Sequence, residues 1–270
     1  MKKPLSHILL ITDMDDTLLR TDKTVSRENL DALEEFRALG GKFTIATGRS
    51  IPSYLPYHQS LHPDCAVVLN NGAVLYRPDR DEILWNSILP ASAKEYVTQA
   101  VQEFDSLGVE ILLGKEIFIP KMNQQICDHM EHEHLVHTVA PVEQIPDEWY
   151  KVLYAMEPDE LPGLCSFLEQ QGHSDVTYVT SSSCYCEMLP KNTSKGDSLK
   201  ILLELEQLQN HKVYAVGDYY NDIHLLEAAD VAAAVDNAPD DVKAYADFVV
   251  ASNNEHGIAQ VVKRIMEKEL

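Results

Sequence analysis

No apolar run in this 270-residue chain reaches the ~18 residues that a membrane-spanning helix needs. Positive charge is also scarce, with 22 Lys+Arg against 43 Asp+Glu and a formal net charge of −21. A field of that sign repels nucleic acid and anionic membrane surfaces, so neither is expected as a partner. Any phosphate site must then draw on focused local positive charge or a metal ion. Cysteines number only five. Cys65, Cys127 and Cys165 are isolated, and Cys184 and Cys186 are two apart. This spacing fits neither a zinc knuckle nor a thioredoxin-type pair, and reads as reduced thiols in a cytoplasm. Short repeats and low-complexity stretches are absent, which excludes solenoids and long linkers. Met1-Lys2-Lys3-Pro4 leads into Ile8-Leu9-Leu10-Ile11, but Asp13, Asp15 and Asp16 follow at once. That pattern leads us to expect a buried first strand rather than a secretory signal.

What is present is an ordinary globular composition, 45% hydrophobic and 24% charged. The first third alternates strand and helix. Residues 7–12 form a near-continuous apolar run ending in acid, the pattern of a buried parallel strand. Ser26 caps a helix whose apolar face is Leu30, Leu33, Phe36 and Leu39, stopped by Gly40-Gly41. Strands follow at 42–46 and 66–69. The last third repeats the theme: a helix from 195 to about 208 with Leu199, Leu202, Leu203 and Leu205 inward, then strands at 213–216, 231–235 and 248–250. Such alternation implies a parallel sheet covered on both faces. The middle differs. Helices are expected at 91–107, 123–134 and 159–171. Strands are expected at 109–113, 116–120, 150–156, 176–181 and 185–189. Helix followed by two neighbouring strands occurs twice, which suggests an inserted α+β domain. The expected organisation is an α/β core with a doubly wound, Rossmann-like parallel sheet over 1–83 and 188–270, interrupted by an α+β insertion at 84–187.

Four clusters carry candidate chemistry, each at a predicted strand or helix end, where open α/β sheets bind ligands. The first is Asp13-Met14-Asp15-Asp16-Thr17. Two close carboxylates repel each other, and a hard divalent cation relieves that. A carboxylate can also serve as a covalent nucleophile, and a second as general acid and base. The second is Thr47-Gly48-Arg49, where a hydroxyl and backbone N–H groups can hold phosphate oxygens. The third is Thr193-Ser194-Lys195-Gly196-Asp197. Ser194 and Asp197 fit a capping box, which places Lys195 in the first helical turn, where the helix dipole opposes a cation unless an anion binds. The fourth is Gly217-Asp218-Tyr219-Tyr220-Asn221-Asp222, oxygen ligands suited to Mg²⁺. Each cluster alone also reads as a polar turn or a capped helix; their joint order is what is specific.

In that order the chain resembles the haloacid dehalogenase superfamily of phosphotransferases. Asp13-x-Asp15-x-Thr17 is similar to its first motif, Thr47 to its second, Lys195 to its third and Gly217-Asp218-x-x-Asn221-Asp222 to its fourth. Asn70-Asn71-Gly72-Ala73 and the tail from Ala246-Asp247 to Ser252-Asn253-Asn254-Glu255-His256-Gly257-Ile258 resemble the Cof-like branch, which carries a large α/β (type IIB) cap between motifs two and three. The resemblance implies a Mg²⁺-dependent phosphatase acting on a small phosphorylated metabolite through an aspartyl-phosphate. It implies Asp13 as nucleophile and Asp15 as acid/base. Thr47, Gly48, Lys195 and Asn70 would bind phosphate. Metal ligands would be Asp13, the Asp15 main-chain carbonyl and Asp218, supported by Asn221 and Asp222. A cytoplasmic monomer or weak homodimer is expected.

Two departures stand out. Asp16 occupies a position where the family often has Gly, which leads us to expect a changed turn rather than lost activity. Ala233-Ala234-Val235-Asp236-Asn237-Ala238 replaces a frequent Met-Gly pair before Asn-Ala, which should affect packing. A phosphomutase and a non-catalytic binder of phosphometabolites are the competing functions. His129, His132, His134 and His137 are read as a solvated polar surface rather than a metal site.

Overall fold

The computed structural model describes residues 3–270, so Met1 and Lys2 of the basic start lie outside the described residues. In chain order the elements are β1 (Ile8–Thr12), α1 (Arg27–Ala38), β2 (Lys42–Ile45), α2 (Ile51–Leu61), β3 (Val67–Leu69), β4 (Val74–Arg77), β5 (Glu82–Asn86), α3 (Ala93–Glu103), β6 (Gly108–Leu113), β7 (Glu116–Lys121), α4 (Gln124–His132), β8 (Thr138–Val139), β9 (Lys151–Ala155), α5 (Leu161–Gln170), β10 (Val176–Ser182), β11 (Tyr185–Pro190), α6 (Lys195–Leu205), β12 (Lys212–Gly217), α7 (Ile223–Ala228), β13 (Val231–Val235), α8 (Asp240–Lys243), β14 (Phe248–Val250) and α9 (Gly257–Glu269).

The chain divides into two compact units. The first holds the residues up to Thr47, Tyr57–Leu84 and Ser194–Leu270; the second holds Gly48–Pro56 and Trp85–Thr193. The expected boundaries at 83/84 and 187/188 therefore move to 84/85 and 193/194, and Gly48–Pro56 joins the second unit. Polar side chains explain the shift. Lys151 Nζ donates to the Gly48 carbonyl at 2.7 Å, Arg49 pairs with Glu133 at 3.1 Å, and the Thr193 hydroxyl reaches Ser87 Oγ at 3.2 Å.

In the first unit five strands form an all-parallel sheet in the order β14-β13-β12-β1-β2. Alternate residues of a strand face opposite sides. Every residue of β1 is fully buried, so both faces of the sheet are covered. Each buried Ile or Leu there contributes about 2 kcal/mol of apolar burial. The chain moves outward from β1 to β2, then returns on the other side of β1 as β12 and moves out to β13 and β14. The topological switch therefore falls between β1 and β12. Ser26 caps α1 as expected, its Oγ accepting from Asn29 N at 3.2 Å. Two details differ from the sequence reading. Leu205 is half exposed, because α6 ends there. Residues 74–86 contain the hairpin of β4 and β5, whose short, mixed sequence carries no clear period.

The second unit is a six-stranded sheet in the order β10-β11-β9-β6-β7-β8, antiparallel except for β7 with β8. The twice-repeated helix–strand–strand pattern corresponds to α3-β6-β7 and α5-β10-β11. One core joins Val97 and Ala100 of α3 and Leu164 and Leu168 of α5 to Val109, Val152 and Met188 of the sheet. A second core sets Ile126 and Met130 of α4 against Leu112, Ile119 and Leu153. The register pairs Leu112 with Lys151, one residue away from where Ile111 meets Val152, which sends the two residue sets to opposite faces.

The end of α9 is tied to β12. Glu269 accepts from Lys212 Nζ and from the Tyr214 hydroxyl, both at 2.5 Å. These bonds, that from Lys212 foremost, hold the Glu269 carboxyl below the usual carboxylate range. A depressed folded-state pKa contributes stability that is present above the unfolded value and lost as pH falls through the folded one. Glu269→Gln is expected to lower stability at pH 7 by up to about 1 kcal/mol. Denaturant titrations across pH should show that difference closing as pH falls below the ordinary carboxylate range.

Candidate active site

The site grows from the carboxyl ends of β1 and β12, at the switch point. Asp13 follows β1 directly, and its backbone N–H donates to the Val216 carbonyl at 2.9 Å, which fixes it to the neighbouring strand. Asp218 follows β12 in the same way. Lys195 opens α6, whose cap is Ser194: its Oγ accepts from Asp197 N at 3.1 Å and donates to Asp197 Oδ2 at 2.7 Å. The anion that an ammonium at this helix end requires is supplied by carboxylates. Lys195 Nζ donates to Asp13 Oδ1 at 2.5 Å and to Asp222 Oδ1 at 2.6 Å. Lys195 is 0% exposed, Asp13 5% and Asp222 0%.

Asp222 is braced completely. Its second oxygen, Oδ2, accepts from Asp218 N at 2.9 Å and Tyr219 N at 3.2 Å. Gly217 permits this approach, since a Cβ there would lie 2.5 Å from Asp222 Cβ. Asp218 Oδ1 accepts from the Thr17 hydroxyl at 2.7 Å. The Oδ2 atoms of Asp13 and Asp218 are not taken up by these bonds.

Charge explains what this arrangement can hold. Three carboxylates face one ammonium, so full ionisation leaves 3 − 1 = 2 negative charges in a buried volume. Carboxylate oxygens of Asp13, Asp218 and Asp222 lie within 4.8 Å of one another. Burial pushes the Asp13 carboxyl up to about 7, opposed by Lys195 and reinforced by Asp222. Burial, and then Asp13, push Asp218 well above the carboxylate range. Burial alone would lower the Lys195 pKa, but Asp13 and Asp222 more than offset it and raise the net value. A divalent hard cation on oxygen ligands matches both the excess charge and the donor set.

Thr47 lies just after β2 and Asn70 directly after β3. Thr47 is buried; its N–H donates to the Val68 carbonyl at 2.9 Å, and its carbonyl accepts from Asn71 N at 3.0 Å. Asn70, Asn71 and Gly72 have φ of 51°, 52° and 104°, a left-handed turn. A Cβ on Gly72 would lie 2.2 Å from the Ser194 carbonyl oxygen, so only glycine fits beside the cap of α6. Asn71 Oδ1 accepts from Asn221 Nδ2 at 3.0 Å, joining the turn to the loop after β12. The Asn70 side chain is 1% exposed, and neither its Nδ2 nor its Oδ1 has a hydrogen-bond partner. An unpaired buried amide is costly and fits a polar ligand.

Asp15 is not one of the three clustered carboxylates, although its charge adds to the rise at Asp13. Its Oδ1 accepts from Lys23 Nζ at 2.9 Å, and both side chains are partly exposed. Gly48 falls in the second unit, where its carbonyl is bonded to Lys151. Lys23 and the Asn71–Asn221 bond carry no sequence signal of their own. Thr17 belongs to the first motif, but its bond to Asp218 spans 201 residues and is visible only in three dimensions.

Comparison with known proteins settles the family. The model of the family described as haloacid dehalogenase-like hydrolase matches residues 10–262. The chain belongs to the haloacid dehalogenase-like hydrolases. It is 27% identical over 285 residues to the phosphatase YwpJ of Bacillus subtilis, covering 96% of this chain and 99% of that one. It is 27% identical over 277 residues to the pyridoxal phosphate phosphatase YbhA of Escherichia coli, covering 94% and 97%. The solved structure of the subclass IIB sugar phosphatase BT4131 has the same fold, with a TM-score of 0.84, 20% identity and coverage of 96% and 99%.

One of this hydrolase's departures from its family is explained by geometry. Asp16 has φ 56°, the left-handed region that glycine enters at no cost. Rather than changing the turn, Asp16 takes up the conformation a glycine would supply. Asp16→Gly is expected to be neutral or to stabilise by up to about 1 kcal/mol, and Asp16→Val to destabilise by about 1–2 kcal/mol, by chemical denaturation. Lys195→Met, which strands buried carboxylates, should cost about 3 kcal/mol or more in metal-free protein; adding Asp222→Asn should recover part of it. Equal stability of Lys195→Met and wild type would contradict the buried triad.

Proposed function

We propose that this hydrolase is a Mg²⁺-dependent phosphatase that releases inorganic phosphate from a small phosphate monoester, a sugar phosphate or similar metabolite, through an aspartyl-phosphate on Asp13. The observation that carries this reading is the buried Asp13 carboxylate, bonded to Lys195 at 2.5 Å and gathered with Asp218 in a volume with excess negative charge. Such a carboxylate, fixed at a strand end beside an ammonium, suits in-line attack on phosphorus.

Asp13 attacks the phosphorus and the ester oxygen departs with a proton from Asp15, leaving an aspartyl phosphate and a free alcohol. Asp15 then takes a proton from water, and the hydroxide cleaves the P–O bond to return Asp13 and inorganic phosphate. Lys195 neutralises negative charge on the phosphoryl oxygens, a local requirement in a chain of net charge −21. The unpaired Asn70 amide and the Thr47 hydroxyl supply hydrogen bonds to those oxygens. Asp13, the Asp15 main-chain carbonyl and Asp218 would hold Mg²⁺, with Asn221 and Asp222 in support, and the ion would supply charge neutralisation for the same group.

In this reading the second unit, Gly48–Pro56 with Trp85–Thr193, selects the leaving group. It supports the assignment that the second unit buries charge. Lys151 and Glu187 are 3% and 2% exposed and pair at 2.8 Å, and the buried Glu110 Oε2 lies 3.6 Å from His129 Nε2. Buried charge of this kind adds little stability over an apolar core, so a binding role accounts for it better. All five cysteines are free, and no helix among the described residues is long and apolar enough to cross a membrane. We place the enzyme in the cytoplasm as a monomer or weak homodimer.

Phosphate release from p-nitrophenyl phosphate and a panel of natural monoesters should be measured with and without Mg²⁺, for wild type and Asp13→Asn. The expected result is Mg²⁺-dependent release that falls at least about 10³-fold in the variant, with its fold retained by circular dichroism. Release that persists in Asp13→Asn would defeat the aspartyl-phosphate route. No release without an added acceptor sugar would favour a phosphomutase.

A further inference from the structure

The loop carrying Asp15 is held by asparagines from the far end of the chain. Beyond Asp13 the backbone leaves the sheet, passes through the left-handed Asp16 and enters a small hairpin closed by a Leu19–Val25 bridge. Three asparagines fasten it. Asn237, just after β13, donates through Nδ2 to the Asp16 carbonyl at 2.8 Å. Its Oδ1 accepts from Asn253 N at 3.0 Å. Asn253, after β14, donates through Nδ2 to the Leu19 carbonyl at 3.0 Å. Asn254 bonds Thr21 twice, accepting from its N–H at 3.2 Å and donating to its hydroxyl at 2.9 Å.

These bonds converge on the loop that carries Asp15, the proposed catalytic group that lies beyond the end of β1. Asp13 is fixed by β12 and Lys195, and Asp218 by Thr17 and Asp222. Asp15 has a strained neighbour on one side and the Lys23 ammonium of the hairpin on its carboxylate. A non-glycine residue at positive φ persists only where its surroundings over-determine it, and the Asn237 bond falls on that residue's carbonyl. Asn253 is 3% exposed, whereas Asn237 and Asn254 are exposed, so two of the three are not there to fill the core.

We propose that Asn237, Asn253 and Asn254 are positioning residues that hold the Asp15 loop, and with it the proton donor, in register with the leaving oxygen. The assignment rests on the phosphatase reading above, in which Asp15 protonates the departing alcohol. A loosened proton donor harms the expulsion of a basic leaving group and spares a good one, because a stabilised phenolate departs without a proton. A general loss of structure would harm both alike.

The test is kcat/KM, which reports the first phosphoryl transfer, on p-nitrophenyl phosphate and on phenyl phosphate. It compares wild type with Asn237→Ala, Asn254→Ala and the double variant; Asn253→Ala serves as a buried counterpart. We expect kcat/KM for phenyl phosphate to fall about tenfold or more, and that for p-nitrophenyl phosphate by less than about threefold. Equal losses on the two esters, or no loss on either in the double variant, would overturn the assignment while leaving the phosphatase reading intact. A wild type that turns over neither ester nor any natural monoester would remove both.

Discussion

A fully buried ammonium is the constraint around which the first unit is organised. Lys195 stands at the start of α6, where the helix dipole opposes it, and removing it from water costs several kcal/mol unless it is paired. Two carboxylates meet that demand, one from the end of β1 and one from the loop after β12, 182 residues away and 27 residues away respectively. Each of these carboxylates is in turn held by backbone: Asp13 through its own N–H on Val216, Asp222 by the N–H groups of Asp218 and Tyr219. The left-handed turn at Asn70–Gly72 lies against the cap of the same helix, in space that only a glycine can leave open. The ammonium thus joins the two halves of the split sheet at the switch point, where β1 and β12 are neighbours.

The same pairing leaves a deficit that defines the chemistry. One ammonium cannot balance three carboxylates; burial raises the Asp13 and Asp218 carboxyls, and repulsion among the carboxylates adds to that rise. The donor set of buried carboxylate oxygens suits a divalent hard cation. The net charge of the chain makes the focus of positive charge local by necessity.

Groups on the sheet and groups on loops are held by different means. Strand-end residues inherit their position from the ladder, so a backbone hydrogen bond suffices. Asp15 has no ladder, and its loop is instead held by side-chain amides of Asn237, Asn253 and Asn254. Asparagine suits this task because one side chain both donates and accepts, which lets Asn237 bridge the Asp16 carbonyl and the Asn253 N–H. The second unit shows a third solution, in which strands from two helix–strand–strand repeats share one sheet and keep separate apolar sets on its two faces.

Much of this was legible in the residues. Continuous apolar runs ending in acid marked β1 and β12, because a strand buried on both faces has no polar alternation. Ser26 and Ser194 marked helix starts, because a hydroxyl cap is a local bond. The order of the acid, hydroxyl, lysine and acid clusters pointed to the haloacid dehalogenase family, since each must stand at the end of an element. The β4–β5 hairpin had no such period, and the end of α6 was extended past Leu205 because a leucine can follow a helix as well as belong to one. Sequence could name Lys195 and Asp222 but not show that they touch. Nor could it assign Gly48–Pro56 to the second unit, because that depends on Lys151 and Glu133 reaching across about 80–100 residues. Local propensity and capping act over a few residues and are written in the chain. Which carboxylate meets the buried ammonium, which amide is left unpaired and which asparagine holds the Asp15 loop are contacts between distant segments, and only the folded sheet brings them together.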